Sequence, residues 1–115
     1  MSARTLAAWV AARTPEAPGE LRAHMARDLG APADLPSDAV AEALLQACEE
    51  ALDRVLRSAD GERETALDLL SADAYVTYAF EAAADDPSRL PALAERAMRR
   101  IADRAAPHLT AIERP

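Results

Sequence analysis

Hydrophobic residues between Ser37 and Asp85 recur at intervals of three and four positions, the spacing of amphipathic helices. The first part of the pattern consists of Val40, Leu44, Ala47, Ala51 and Val55. Asp60 and Gly61 then interrupt it, so the sequence predicts one helix that starts after the N-cap Ser37 and a second from about residue 62 to residue 84. A short connection favours antiparallel packing of the two helices.

The predicted inner face of the second long helix contains one carboxylate, Asp73. The face comprises Ala66, Leu69, Leu70, Asp73, Val76, Phe80 and Ala83. A buried carboxylate must be hydrogen-bonded, paired or protonated, because desolvation of an isolated charge costs several kcal/mol. The favoured interpretation is a structural pair with an arginine or a tyrosine hydroxyl; a ligand-binding or catalytic carboxylate, or simple exposure at the stripe edge, are the alternatives.

Shorter helices are predicted on both sides of this pair. Residues 1–29 form two short helices, and Asp86 with Pro87 can start a last helix that Pro107 ends. The sequence therefore predicts an all-α protein of four to five helices. It consists of one domain, 1–115, with a three-helix bundle core at 37–106 and a tail at 107–115.

Composition suggests that the core is thin. Half of the 115 residues are hydrophobic, but many of these are alanines, which bury little area. A domain of this size must bury roughly two thirds of its unfolded surface. We therefore expect self-association, with a homodimer as the predicted state.

Charge is unevenly distributed in this acidic chain, whose net charge is −7. Residues 34–86 hold fourteen of the 20 acids, whereas residues 87–115 hold six arginines. Arg96, Arg99 and Arg100 are predicted to pair with the acidic centre, within the chain or across a dimer interface. The basic residues are too sparse for the dense basic face of a nucleic-acid binder, so nucleic acid is not an expected partner.

The first helix offers a second candidate interface. Leu6, Trp9 and Val10 share one of its faces, where they could form a lid over the core or an anchor for a partner, since Trp is enriched at interfaces. No segment approaches the roughly 20 apolar residues of a membrane span. The only cysteine, Cys48, is expected in the core, and a chain without a disulfide suits the reducing cytoplasm.

The sequence shows no recognisable catalytic or metal-binding set. Glu20, His24 and Asp28 are spaced four apart and could contribute metal ligands, but no partner motif completes a site, so an exposed, solvated ladder is favoured. Nothing supplies a nucleophile, a base and an oxyanion donor. We therefore predict no cofactor, no metal and no enzymatic activity.

Residues 69–81, LLSADAYVTYAFE, resemble the "LLAGDALLTxAFE" helix of trans-isoprenyl diphosphate synthases. The resemblance implies an α-helical wall that includes Asp73. It does not extend to catalysis, because the DDxxD motifs that bind Mg²⁺-diphosphate in that family are absent and its members are more than twice as long. A non-catalytic partner of such an enzyme is one role that the resemblance allows.

These patterns together favour a protein that acts by protein–protein association, as a homo-oligomer or as an accessory subunit. The alternative is a small-molecule or metal-binding helical bundle with Asp73 inside its cavity. The two hypotheses differ in their response to a ligand, because a bound small molecule or Mg²⁺ should raise the melting temperature in the second case.

Overall fold

The computed structural model describes residues 4–13, 18–29, 34–35, 39–58 and 63–113, and within these ranges the protein is all-α, as predicted. The helices are α1 (Leu6–Arg13), α2 (Gly19–Asp28), α3 (Val40–Arg57), α4 (Arg63–Ala83) and α5 (Leu90–Glu113). Two-residue strands, β1 (Arg4–Thr5) and β2 (Asp34–Leu35), pair antiparallel. The predicted signals at Ser37, Asp60 and Gly61 lie outside the described residues.

Helices α3 and α4 form an antiparallel hairpin, as predicted. At its connected end the Ser58 and Thr65 hydroxyls are 2.6 Å apart, and at the other end Leu45 shares a core cluster with Ala83. No other pair of elements in the described structure has as many contacts. Small residues such as Ala51, Ala72 and Ala79, all buried, allow close helix packing.

Helix α5 lies beside this hairpin and runs parallel to α3. Successive arginines of α5 pair with successive acids of α3, from Arg96 with Glu42 to Arg104 with Asp53. A 3₁₀ turn, Pro87–Arg89, precedes α5, and the Asp86 side chain accepts a hydrogen bond from the Ser88 N–H. This confirms Asp86 as the cap that starts the last helical segment.

The main core lies between α3 and α4 and is covered by α1 and α2. Its buried members are Trp9, Val10, Met25, Val40, Leu44, Cys48, Ala51, Ala72, Tyr75 and Ala79. Cys48 is 1% exposed, so the prediction that it is a core residue is confirmed. A smaller cluster near the α4–α5 connection contains Leu45, Ala83, Leu93 and Ala97.

The predicted inner face of α4 is wrong in part. Ala83 is buried and Val76 and Phe80 pack against the core as predicted, but Ala66, Leu69, Leu70 and Asp73 are exposed. The buried residues are Leu67, Asp68, Ser71, Ala72, Tyr75, Ala79 and Ala83, whereas Leu69 and Leu70 are each 53% exposed and Asp73 is also exposed. The helix is therefore rotated relative to the prediction. The rotation buries the large ring of Tyr75, and aromatic side chains bury more area than leucine.

The predicted helix end at Pro107 is also wrong, because α5 continues to Glu113. Pro107 has no N–H to donate to the carbonyl of Asp103, so the helix runs on without that hydrogen bond. Residues 107–113 therefore belong to α5 rather than to a tail. Among the described helices, none has the length and apolar character needed to cross a membrane.

Candidate functional site

Five charged or titratable side chains from three helices meet beside the core and form what we call the polar cluster: His24 and Asp28 of α2, Arg54 of α3, and Glu64 and Asp68 of α4. Arg54 donates from Nε to Asp68 Oδ1 at 3.0 Å, and its Nη2 lies 2.8 Å from Asp28 Oδ1. The cluster thus joins α2, α3 and α4 through one guanidinium group.

His24 contacts carboxylates on both sides of its ring. Its Nε2 lies 2.8 Å from Asp68 Oδ1, and its Nδ1 lies 3.4 Å from Glu64 Oε2. His24 is 7% exposed, which corrects the prediction of an exposed ladder with Glu20 and Asp28. The burial arises because α2 packs this side of its surface against α4. Glu20, by contrast, remains exposed and pairs with Arg63.

Tyr75 connects the polar cluster to the core. Its hydroxyl donates to Asp28 Oδ2 at 2.9 Å, and the residue is fully buried. Burial raises the pKa of Tyr75, and the negative charge of Asp28 raises it further. Burial alone would lower the pKa of Arg54, but its hydrogen bond to Asp68 and the charge of Asp28 more than compensate, so that pKa is raised. Tyr75 thus stays a hydrogen-bond donor and Arg54 stays charged.

An open cleft of about 270 Å³ lies over the polar cluster, and Arg27 also lines it. The carboxylates of Asp28 and Asp68 already bind Arg54, Tyr75 and His24, so few lone pairs remain for a ligand. In the described part of the chain, no group of three or more His, Cys, Asp or Glu residues could hold a metal ion. A larger pocket of about 380 Å³ lies elsewhere, at the α4–α5 connection.

The predicted arginine interface is used within the chain. Arg96 and Arg100 pair with Glu42, and Arg100 also pairs with Glu49, which is 5% exposed. Arg99 pairs along its own helix with Glu95 at 3.6 Å. The prediction that these arginines pair with the acidic centre is therefore correct for Arg96 and Arg100. Their partners lie in the same chain, so these ion pairs do not indicate an interface.

The predicted interface around Trp9 serves as a lid over the core. Trp9 and Val10 are buried, and Leu6 packs against the same cluster. The Trp9 ring meets Tyr78 edge to face, with ring centroids 6.1 Å apart, and the Arg13 guanidinium lies 3.6 Å from the centre of the Trp9 ring. The core of the same chain therefore already uses the apolar surface of Leu6, Trp9 and Val10.

Part of the predicted inner face of α4 is instead exposed, and together with Thr77 it forms what we call the outer face of α4: Ala66, Leu69, Leu70, Asp73 and Thr77. Thr77 Oγ1 donates to the backbone carbonyl of Asp73 at 2.9 Å. Because the Asp73 side chain is exposed, it is not enclosed within the bundle. The ligand-cavity hypothesis therefore loses the residue on which it depended.

The comparisons with known proteins gave no match to a family model, to a curated protein or to a solved structure. The resemblance of residues 69–81 to the isoprenyl diphosphate synthase helix therefore stays a prediction. The candidate surfaces have to be judged on their own geometry.

Proposed function

We propose that this protein acts by protein–protein association, as a homodimer that packs the outer face of α4 against the same face of a second copy. The observation that carries the proposal is the exposure of two adjacent leucines, Leu69 and Leu70, each 53% exposed. Large apolar side chains that form a patch lose water-exposed area on association.

The outer face of α4 carries less charge than the exposed surface of α3. Its five residues include one charged side chain, Asp73. On α3 the exposed residues are Glu42, Gln46, Glu50 and Arg57, three of which are charged. A surface low in charge is what the centre of a protein interface requires.

A second copy is the partner that fits this single patch. A two-fold interface uses the same surface on both subunits and needs no second patch. Arg63 and Asp73 flank the two leucines on α4, about 15 Å apart along the helix axis. In an antiparallel α4–α4 pair centred near residue 68, Arg63 of each copy, which pairs with Glu20 of its own chain, would also face Asp73 of the other, so the charges would be complementary.

The test is the molecular mass in solution over a hundredfold range of concentration, measured by sedimentation equilibrium. We expect the wild type to dimerise and the double variant Leu69→Asp/Leu70→Asp to be a folded monomer by circular dichroism. Met98→Asp is the matched control, because Met98 is a large apolar residue on α5 that is 67% exposed. It should leave the dimer intact.

A wild type that stays monomeric throughout the range would overturn the homodimer. A dimer that survives the double substitution would overturn the choice of surface. A monomer that captures a different protein through Leu69 and Leu70 would replace self-association with the role of an accessory subunit.

A further inference from the structure

The pocket at the α4–α5 connection combines an apolar lining with charged residues. Its volume is about 380 Å³, which lies within the range of small-molecule sites in proteins. The apolar lining comes from three helices and consists of Ala41, Ala82, Ala83, Ala92 and Leu93. Ala83 and Leu93 belong to the smaller core cluster, so this part of the lining is fixed by the fold. The pocket can therefore receive a small apolar group without a change in the core.

The charged residues of this pocket do not pair with one another. They are Asp85, Asp86, Arg89 and Arg96. Asp86 already caps the 3₁₀ turn, and Arg96 Nη2 lies 3.4 Å from Glu42 Oε2 on the exposed surface. The Asp85 and Arg89 side chains make no hydrogen bond or ion pair with any residue that the structure describes. The pocket thus offers one carboxylate and one guanidinium that are not used within the described chain.

The positions of Asp85 and Arg89 are also unfavourable for the protein alone. The C-terminal end of a helix carries a partial negative charge, and the N-terminal end carries a partial positive charge. Asp85 follows the end of α4 at Ala83, and Arg89 directly precedes α5, so each side chain has the same sign as the helix end beside it. No basic residue in the last turn of α4 and no acidic residue in the first turn of α5 compensates for this. Such departures from the rules of helix stability are expected at functional sites.

We propose that this pocket binds a small zwitterion, a free amino acid with an apolar side chain. Its carboxylate would be held by Arg89 and Arg96, because the planar guanidinium matches a carboxylate in shape and charge. Its ammonium group would pair with Asp85, and its side chain would lie against the alanines and Leu93. The ligand would then supply a negative charge at the start of α5 and a positive charge at the end of α4. This site is independent of the proposed dimer, which uses the outer face of α4.

The test compares leucine, valine and methionine with probes that lack one of the required groups. Isocaproate is leucine without the amino group, isoamylamine is leucine without the carboxylate, and glycine has both charges but no side chain. Thermal unfolding is measured at one protein concentration with each compound. We expect at least one of the three amino acids to raise the melting temperature by about 3–6 °C at roughly ten times its dissociation constant. The three incomplete probes should give clearly smaller shifts at the same concentration.

Two substitutions test the residues directly. Arg89→Gln and Asp85→Asn should each weaken binding of that amino acid by about tenfold in isothermal titration calorimetry, because each removes one charge-assisted contact. Both should also raise the melting temperature of the ligand-free protein by about 1–5 °C, since each removes a charge from an unfavourable helix end. A variant that was merely damaged would instead melt earlier. Arg99→Gln is the control, because Arg99 is an exposed arginine of α5 that pairs with Glu95, and it should keep the wild-type affinity.

The absence of a shift with all three amino acids would overturn the proposal. An equal shift with isocaproate would reduce the pocket to a site for organic anions, and an equal shift with glycine would remove the role of the apolar lining. Either result would contradict the proposed ligand class. Wild-type affinity in Arg89→Gln and Asp85→Asn would show that the amino acid binds elsewhere.

Discussion

The guanidinium of Arg54 donates from Nε to Asp68 Oδ1 over 3.0 Å, and this bond fixes α3 to α4 within the polar cluster. Asp68 is buried, and Arg54 is the cation that it shares with Asp28. Removal of one partner from a buried ionic network leaves the others uncompensated, and this costs more than the net contribution of the bond itself.

We therefore expect Arg54→Leu to lower the free energy of unfolding by roughly 1–3 kcal/mol, measured by urea titration. Arg57→Leu is the control one turn further along α3. Arg57 is exposed and donates only to the backbone carbonyl of Asp53 among its described hydrogen bonds, so its loss should change stability by less than about 0.5 kcal/mol. Equal losses in the free energy of unfolding of the two variants would show that the ionic network adds no more stability than an exposed arginine does.

A second prediction concerns Glu49, which is 5% exposed and pairs with both Arg100 and Arg104 of α5. Glu49→Gln keeps the shape of the side chain but removes its charge, and we expect a loss of roughly 1–3 kcal/mol in the free energy of unfolding. The neighbouring Glu50 is exposed, so Glu50→Gln should have little effect. A Glu49→Gln protein as stable as the wild type would mean that the charge of Glu49 adds nothing to the pairs that α5 makes with Glu42 and Asp53.

The architecture could be predicted from the sequence because it depends on local signals. The three-and-four spacing defined α3 and α4, and the Asp86–Pro87 pair marked the start of the last helical segment. The face that α4 buries could not be predicted, because apolar residues such as Leu67, Leu70 and Val76 occur on several sides of this helix. Its orientation depends on partners on other helices, which a helical pattern does not contain.

The polar cluster was missed for the same reason. His24 and Asp68 are 44 positions apart, and the i,i+4 spacing of Glu20, His24 and Asp28 indicated only that they share one side of α2. The available signal was a histidine with a carboxylate four residues before it and another four residues after it on one side of α2. That signal does not identify α4 as the neighbour.

Cys48 should be chemically inert in the folded protein. Burial raises the pKa of its thiol to about 11, and the thiolate is the reactive form. We expect iodoacetamide to label the native protein near pH 8 far more slowly than the urea-unfolded chain, as measured by mass spectrometry. Because the folded pKa is raised above that of the unfolded chain, the stability that the thiol contributes is lost as pH rises from about 9 towards 11. Rapid native labelling would show that α3 opens locally.

Pro107 lies inside α5 without the N–H that the helix needs, and it is exposed. Pro107→Ala should therefore increase the free energy of unfolding by about 1 kcal/mol, less than the full cost of a central proline because the helix ends six residues later. The gain should be accompanied by slower hydrogen exchange in residues 108–113. Pro91→Ala is the control, since a proline in the first turn of a helix breaks no hydrogen bond. A similar gain in both variants would indicate an effect on the unfolded chain instead.

The proposed α4–α4 pairing makes a prediction about two exposed charges. If Arg63 of one copy faces Asp73 of the other, then Asp73→Arg places two arginines together, and each dimer contains two such pairs. We expect that single reversal, and likewise Arg63→Asp, to raise the dissociation constant of the dimer by about tenfold in low salt. The double variant Arg63→Asp/Asp73→Arg restores opposite charges and should recover most of the affinity, as measured by sedimentation equilibrium.

Combining Asp73→Arg with Arg57→Asp is the control, because Arg57 lies on α3 and cannot rescue a contact made by α4. Rescue by Arg57→Asp as well would reduce the effect to net charge and contradict the antiparallel arrangement, whereas rescue by Arg63→Asp alone would establish which residues meet across the two-fold axis.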